Sequence, residues 1–231
     1  MQIAVLSDIH GNLEALEAVW ADMATFPVAR IVSLGDMVGY GPNPEEVLQA
    51  MRERDVLCCM GNHELGIVSK SERAWFNATA RKGLILTEAL LSPQSLDYIA
   101  NLPRSVVVEG ARFVHGFPPD SVTTYLFQVD DQGLVFWFAQ GERLTFVGHT
   151  HELGLAHWDG AELRRRTLGR AVLQLLQGWS IVNAGSVGQP RDGDNHAKYV
   201  LWDTSENTIE VRFVPYDIAG TAEKILRRGF P

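Results

Sequence analysis

The sequence predicts an α/β protein, and three observations carry that reading. Short apolar, β-branched runs alternate with helical patterns through the first sixty residues. A stretch from about 65 to 102 lacks strand alternation and reads as two or more helices inserted between strands, ending at Pro103. From Ser105 onward the chain is β-rich.

Residues 3–7 form the first expected strand. Residues 13–23 then form an amphipathic helix with Leu13, Leu16, Val19, Trp20 and Met23 on one stripe. A second strand spans 31–34. Pro44 opens a helix running to about Arg54, with Asn43 as its N-cap and Glu45 and Glu46 in the first turn. A third strand covers 56–60. This β-α-β-α-β order implies parallel strands joined by right-handed crossovers. Further on, 106–109 and 112–114 read as a hairpin about Gly110, 131–140 as a short helix and 144–147 as a strand. Asp159-Gly160 marks a hairpin turn, as does Ser205-Glu206-Asn207 between 199–202 and 209–214, and 221–228 make a closing helix. With no repeat, low-complexity tract or linker, 1–231 is expected to be one domain.

The chain is 46% apolar, enough for a sizeable core, with 28 acidic against 20 basic residues and a formal charge of −8. That balance argues against attraction to a nucleic-acid backbone. No apolar run reaches the roughly 18 residues of a membrane span. With no signal-peptide pattern either, the expectation is a cytoplasmic, soluble protein. Cys58 and Cys59 are neighbours on an expected strand and point to opposite faces, so they read as two buried thiols rather than a ligand pair or a bridge.

The strongest signal is where the metal-capable residues fall. Asp8 and His10 follow the first strand, Asp36 the second, and Asn62, His63 and Glu64 the third. His115 follows Phe113-Val114, while His149 and His151 follow 144–147. Five strand ends thus carry a ligand-type group, five of the seven histidines among them. In α/β sheets the carboxyl ends of parallel strands are where ligands bind. Imidazole suits Zn, Fe, Ni or Mn, and the carboxylate and amide oxygens widen the choice towards Mn and Fe.

These segments, Asp8-Ile9-His10, Gly35-Asp36, Gly61-Asn62-His63-Glu64, His115-Gly116 and Gly148-His149-Thr150-His151, resemble the ordered motifs of the calcineurin-like metallophosphoesterases. The match runs from residue 3 to about 195. Segments 7–12, 35–42 and 183–191 resemble small prokaryotic members, grouped with diadenosine-tetraphosphatase-like or other phosphodiesterase proteins. The resemblance implies a four-layer α/β/β/α sandwich of two mixed sheets with the helical insertion at about 65–102. It also implies two divalent ions: one on Asp8, His10 and His151, the other on Asn62, His115 and His149, with Asp36 bridging. Such a pair activates a water for in-line attack on phosphorus. His63 would then assist the leaving oxygen, with Glu64 orienting the imidazole. Family members more often carry Asp where this chain has Glu64.

Three residues are candidates for substrate contact. Arg191 either donates to the phosphate or pairs with Asp192 or Asp194. Asn12 either lines the pocket or caps a helix, and Tyr40 lies just beyond a metal motif. Lys70, Arg73, Arg81 and Lys82 read as a cationic lid or as solvated charges, and Arg164–Arg166 as edge protection. Trp75, Phe76 and Trp137 read as core or lid packing, or as an aromatic wall for a nucleobase. The expected activity is hydrolysis of a small phosphate ester, a nucleotide among the candidates. The alternatives are a docking scaffold that has lost its chemistry, for which no ligand position is missing, and a nuclease, which the acidic charge disfavours.

Overall fold

A computed structural model describes residues Met1–Pro231. Two mixed six-stranded sheets lie face to face. The first has β1 (Gln2–Leu6), β2 (Val28–Ser33), β3 (Leu57–Cys58), β9 (Val172–Gln174), β11 (Ala197–Asp203) and β12 (Thr208–Val214) in the order β3-β2-β1-β11-β12-β9. The second has β4 (Ser105–Val108), β5 (Ala111–Val114), β6 (Leu144–Val147), β7 (Leu153–Trp158), β8 (Leu163–Thr167) and β10 (Trp179–Ala184) in the order β4-β5-β6-β10-β7-β8. In the first sheet β1, β2 and β3 are mutually parallel, and in the second β5, β6 and β10 are.

Strand alternation sorts the side chains into three cores. Ile3 and Val5 of β1 join Phe113, Phe146, Val182 and Trp202 between the sheets. Ala4 and Leu6 face the other way, onto α1 (Leu13–Met23), α2 (Pro44–Glu53) and the inserted helices. On the far side of the second sheet, Val114, Val147 and Ile181 meet Leu134, Trp137 and Phe138 of α7 (Asp131–Phe138). The result is the expected α/β/β/α layering. Cys58 and Cys59 fall in different cores, and burial pushes both thiols up to about 12.

Helix α1 spans the expected residues because Asn12 accepts a hydrogen bond from the Ala15 N–H at 3.1 Å. Asn43 occupies the N-cap position of α2 without capping it; its side-chain amide donates instead to Glu46 at 2.9 Å. The third strand is only two residues long, since the Met60 N–H turns away to the Pro103 carbonyl. Strand β9 has no counterpart in the sequence reading. It is three residues on a sheet edge, mostly exposed, with no apolar alternation to betray it.

The insertion comprises α3 (Asn62–Val68), α4 (Lys70–Arg73), α5 (Ala78–Leu90) and α6 (Pro93–Ala100). Arg73 is neither a lid cation nor solvated. It is buried, donating to the Gly66 and Ile67 carbonyls at the end of α3 (2.7 and 2.9 Å) and to Glu88 of α5 (2.6 Å). Those carbonyls have no partner within their own helix, so the guanidinium caps α3 and ties it to α5. Arg73→Ala is expected to cost about 3 kcal/mol by stranding them. That corresponds to a fall of roughly 6–12 °C in the thermal midpoint. A shift below about 2 °C in a melting experiment would remove Arg73 as the staple.

Candidate metal centre

The parallel strands of both sheets end at one edge, and their turns interlock there. The Asp8 N–H donates to Gly35, the Val187 N–H to Ser7 and the Gly148 N–H to His115. Asp8 also joins the sheets, its Oδ2 accepting the His149 N–H at 3.1 Å and the Ser7 hydroxyl at 2.6 Å. Nine non-glycine residues have positive φ, and six of them belong to this edge: Asp8, His10, Asp36, Tyr40, His149 and His151. Left-handed backbone costs such residues on the order of 1 kcal/mol each, so the strain is concentrated where the motifs lie.

All seven expected ligands come together. Around one point, His151 Nε2 lies 3.2 Å from both Asp8 Oδ1 and His10 Nε2. Around a second, His115 Nε2 lies 3.0 Å from Asn62 Oδ1, 3.2 Å from His149 Nδ1 and 3.3 Å from Asp36 Oδ2. Asp36 Oδ2 also lies 3.7 Å from His10 Nε2, so this carboxylate stands between the two groups. Distance alone admits a third combination, His10 with Asp36 and His63.

The outward ring nitrogens say which lone pairs face inward. His10 Nδ1–H donates to the Val38 carbonyl, His151 Nδ1–H to Gln189 and His149 Nε2–H to Thr123. A carbonyl only accepts, so in each ring the proton sits on the outer nitrogen and a lone pair points at the centre. The buried Asp8 Oδ1 has no hydrogen-bond partner at all. Facing lone pairs beside an unpaired buried carboxylate oxygen is an arrangement a cation satisfies and a proton does not. The residues therefore fit a metal site.

Electrostatics single out Asp36 as the charge at the middle of the cluster. Burial opposes ionisation of Asp36, yet the His115 and His63 imidazoles hold its carboxyl well below the usual range. Burial likewise disfavours a charged His115, but the Asp36 carboxylate outweighs it and raises that imidazole to about 9. For His63 and His149 burial wins, lowering them to about 4 and about 3.

His63 lines the adjoining cavity without joining either ligand group, its ring edge-on to Phe76 at 5.1 Å. Gly39, at φ 88°, makes room for it: any Cβ there would overlap the imidazole. Glu64 does not orient His63. Its carboxylate accepts the N–H groups of Asp36 (2.7 Å), Met37 (2.8 Å), Val38 (3.1 Å) and Gly61 (2.8 Å), so it fixes the backbone of the Asp36 turn. Burial first, then the nearby Asp36 charge, raises Glu64 to about 7.

Asn12 is removed from the substrate candidates, because it caps α1, donates to the Gly188 carbonyl and faces a different cavity. Tyr40 and Arg191 do line the cavity beside the centre. Arg191 makes no ion pair; Asp192 is taken by the buried Lys198 at 2.7 Å and Asp194 by His196 at 2.7 Å. Its guanidinium lies 5.9 Å from the Tyr40 ring centroid and donates to Gln189. The cavity measures about 630 Å³ and is completed by residues the motifs do not reveal, among them Glu72, Asn77, Thr123 and Tyr125. Thr123 reaches the centre through its backbone carbonyl, which accepts from His149 and leaves no trace in the sequence.

Glu64→Ala strands four buried N–H groups and is expected to cost about 3 kcal/mol or more. Metal content should fall with it, and Glu64→Asp should recover part of both. Full metal occupancy and an unchanged melting curve in the alanine variant would contradict this role.

The comparisons agree with the geometry. The sequence model of the calcineurin-like phosphoesterase superfamily domain matches residues 1–207. The uncharacterized protein MJ0912 of Methanocaldococcus jannaschii is 36% identical, over 99% of this chain and 93% of that one. The crystal structure of a metallophosphoesterase from Sphaerobacter thermophilus superposes with a TM-score of 0.87 at 34% identity, over 100% of this chain and 95% of that one. The hypothetical protein PH1004 of Pyrococcus horikoshii shares the fold, with a TM-score of 0.79 at 19% identity over 100% and 94%.

Proposed function

This chain belongs to the calcineurin-like phosphoesterase superfamily, and from that premise we propose that it hydrolyses a small phosphate ester with two divalent ions. The ions would be held by Asp8, His10 and His151 on one side and by Asn62, His115 and His149 on the other, with Asp36 shared. One observation supports the reading: six donor atoms converge in two groups about a seventh, the Asp36 carboxylate, all from five strand ends, with the lone pairs of His10, His149 and His151 turned inward. The donor set suits Mn, Fe, Zn or Ni.

Bound there, the ions supply Lewis acidity that activates water and offsets charge on the phosphate oxygens. The chain's own residues do the rest. Arg191 is the single arginine or lysine lining the cavity and has no carboxylate partner, so its guanidinium is free to hold a phosphate oxygen. Tyr40 packs against the His10 and His63 rings, at 4.8 and 4.6 Å, and supports both. His63, beside the ligand Asn62 but outside both ligand groups, stabilises charge on the leaving oxygen or protonates it. Turnover is then limited by positioning and charge rather than by a covalent enzyme intermediate.

The direct test is to assay the Mn-loaded protein on a generic aryl phosphomonoester and diester, a nucleotide panel, and single- and double-stranded DNA. Hydrolysis of a small ester without DNA cleavage is expected; inactivity on every ester overturns the reading. His63→Ala should retain wild-type metal content while kcat falls about 100-fold or more. Wild-type turnover in that variant would remove His63 from the mechanism, and loss of metal would make it a ligand. Asp36→Asn should lose metal first, because the shared charge is gone.

A further inference from the structure

The cavity beside the metal centre is much larger than a phosphate requires, and its walls have a particular character. At about 630 Å³ it matches pockets that enclose drug-sized molecules. Four aromatic side chains line it, Tyr40, Trp75, Phe76 and Tyr125, against only two aliphatic ones, Leu65 and Ala80. Two of the aromatics rest directly on the motif histidines. Tyr125 stacks on His149 with ring centroids 3.7 Å apart and planes at 13°, and Phe76 meets His63 edge-on. Phe127 continues the Tyr125 stack at 4.9 Å.

Trp75 is the outlier. It sits in the turn between α4 and α5 and is 87% exposed although it lines the cavity. A bare indole contributes nothing to any of the three cores, so packing does not account for it. Beside it are Glu72, whose carboxylate has no partner within the chain, and Asn77. Flat faces flanked by an acceptor and a donor suit a planar heterocycle with polar edges. An acyl chain would call for aliphatic walls.

We infer that this cavity takes the base of a nucleoside phosphate, with the heterocycle against the exposed Trp75 indole and the phosphate at the Asp36 and Arg191 end. The inference rests on the phosphoesterase reading and narrows its substrate class. Hydrolysis breaks the ester P–O bond, water giving its oxygen to phosphorus and a proton to the leaving oxygen. Stacking of a base on an aromatic side chain is tolerant of which base is present. The cavity should therefore distinguish base from no base more sharply than purine from pyrimidine.

The test is an equilibrium titration of the Mn-loaded protein with an adenosine phosphonate, whose P–C bond is not an ester, and with the matching ribose phosphonate. The nucleoside ligand should bind at least about ten-fold tighter. Trp75→Ala should bring the two affinities to within about two-fold, and Trp75→Phe should restore most of the difference. Because Trp75 is exposed, its removal leaves the fold intact. Equal affinities in the wild type, or a ratio that Trp75→Ala does not move, overturn the inference. So does a phosphoserine peptide that binds tighter than the nucleoside ligand in a Trp75-dependent way. Equal affinities alongside hydrolysis of a generic ester remove the base site alone. Base-selective, Trp75-dependent binding in a protein that cleaves no ester supports the base site and removes the phosphoesterase reading.

Discussion

Everything at the strand edge follows from gathering buried imidazoles and carboxylates a little over 3 Å apart, with the lone pairs of His10, His149 and His151 turned inward. The facing lone pairs repel, and within the cluster the attraction between Asp36 and His115 is set against that repulsion. The surrounding chain must therefore impose the arrangement. Left-handed turns at Asp8, His10, Asp36, His149 and His151 aim the side chains inward. Backbone carbonyls of Val38, Thr123 and Gln189 set the ring tautomers, and the Glu64 carboxylate gathers the N–H groups of the Asp36 turn. Stability is spent on pre-forming a site, which is the usual relation between strain and function.

The division of labour between the sheets serves the same end. The first sheet brings Asp8, His10, Asp36 and Asn62 from β1, β2 and β3; the second brings His115, His149 and His151 from β5 and β6. The apolar layer between the sheets fixes their relative position, so a side chain on one meets its partner on the other without a flexible connection. Glu64 binds the Asp36 turn to the start of α3. Its one carboxylate reaches four N–H groups, a structural task in place of the orienting of His63 expected of it.

Much of this was legible in the sequence, for definite reasons. Helix α1 could be read to the residue because Asn12 caps it and Leu16, Val19 and Met23 keep the 3.6-residue period. The ligand set could be read because strand-end position and residue chemistry coincide. Legibility failed where the structure relies on backbone or on long-range pairing. Strand β9 depends on β12 for its existence, and β3 is cut short by a hydrogen bond to Pro103. The burial of Arg73 was hidden because its partners are helix-terminal carbonyls, and the role of Tyr125 because it comes from a loop carrying no motif.

The order of the strands also bears on synthesis. All seven donors lie at or before His151, yet β11, which pairs with β1, begins only at Ala197. The Ser186 hydroxyl and the Gly188 N–H that grip the Asp8 carbonyl likewise come late. On the ribosome, then, the chain carries a full complement of metal-seeking side chains before it has the scaffold to arrange them. A loose array of histidines and carboxylates binds whichever available ion has the greatest affinity, whereas geometry enters only once the sheet closes. Discrimination between metals is in this way deferred to the last third of the chain, which contributes none of the ligands.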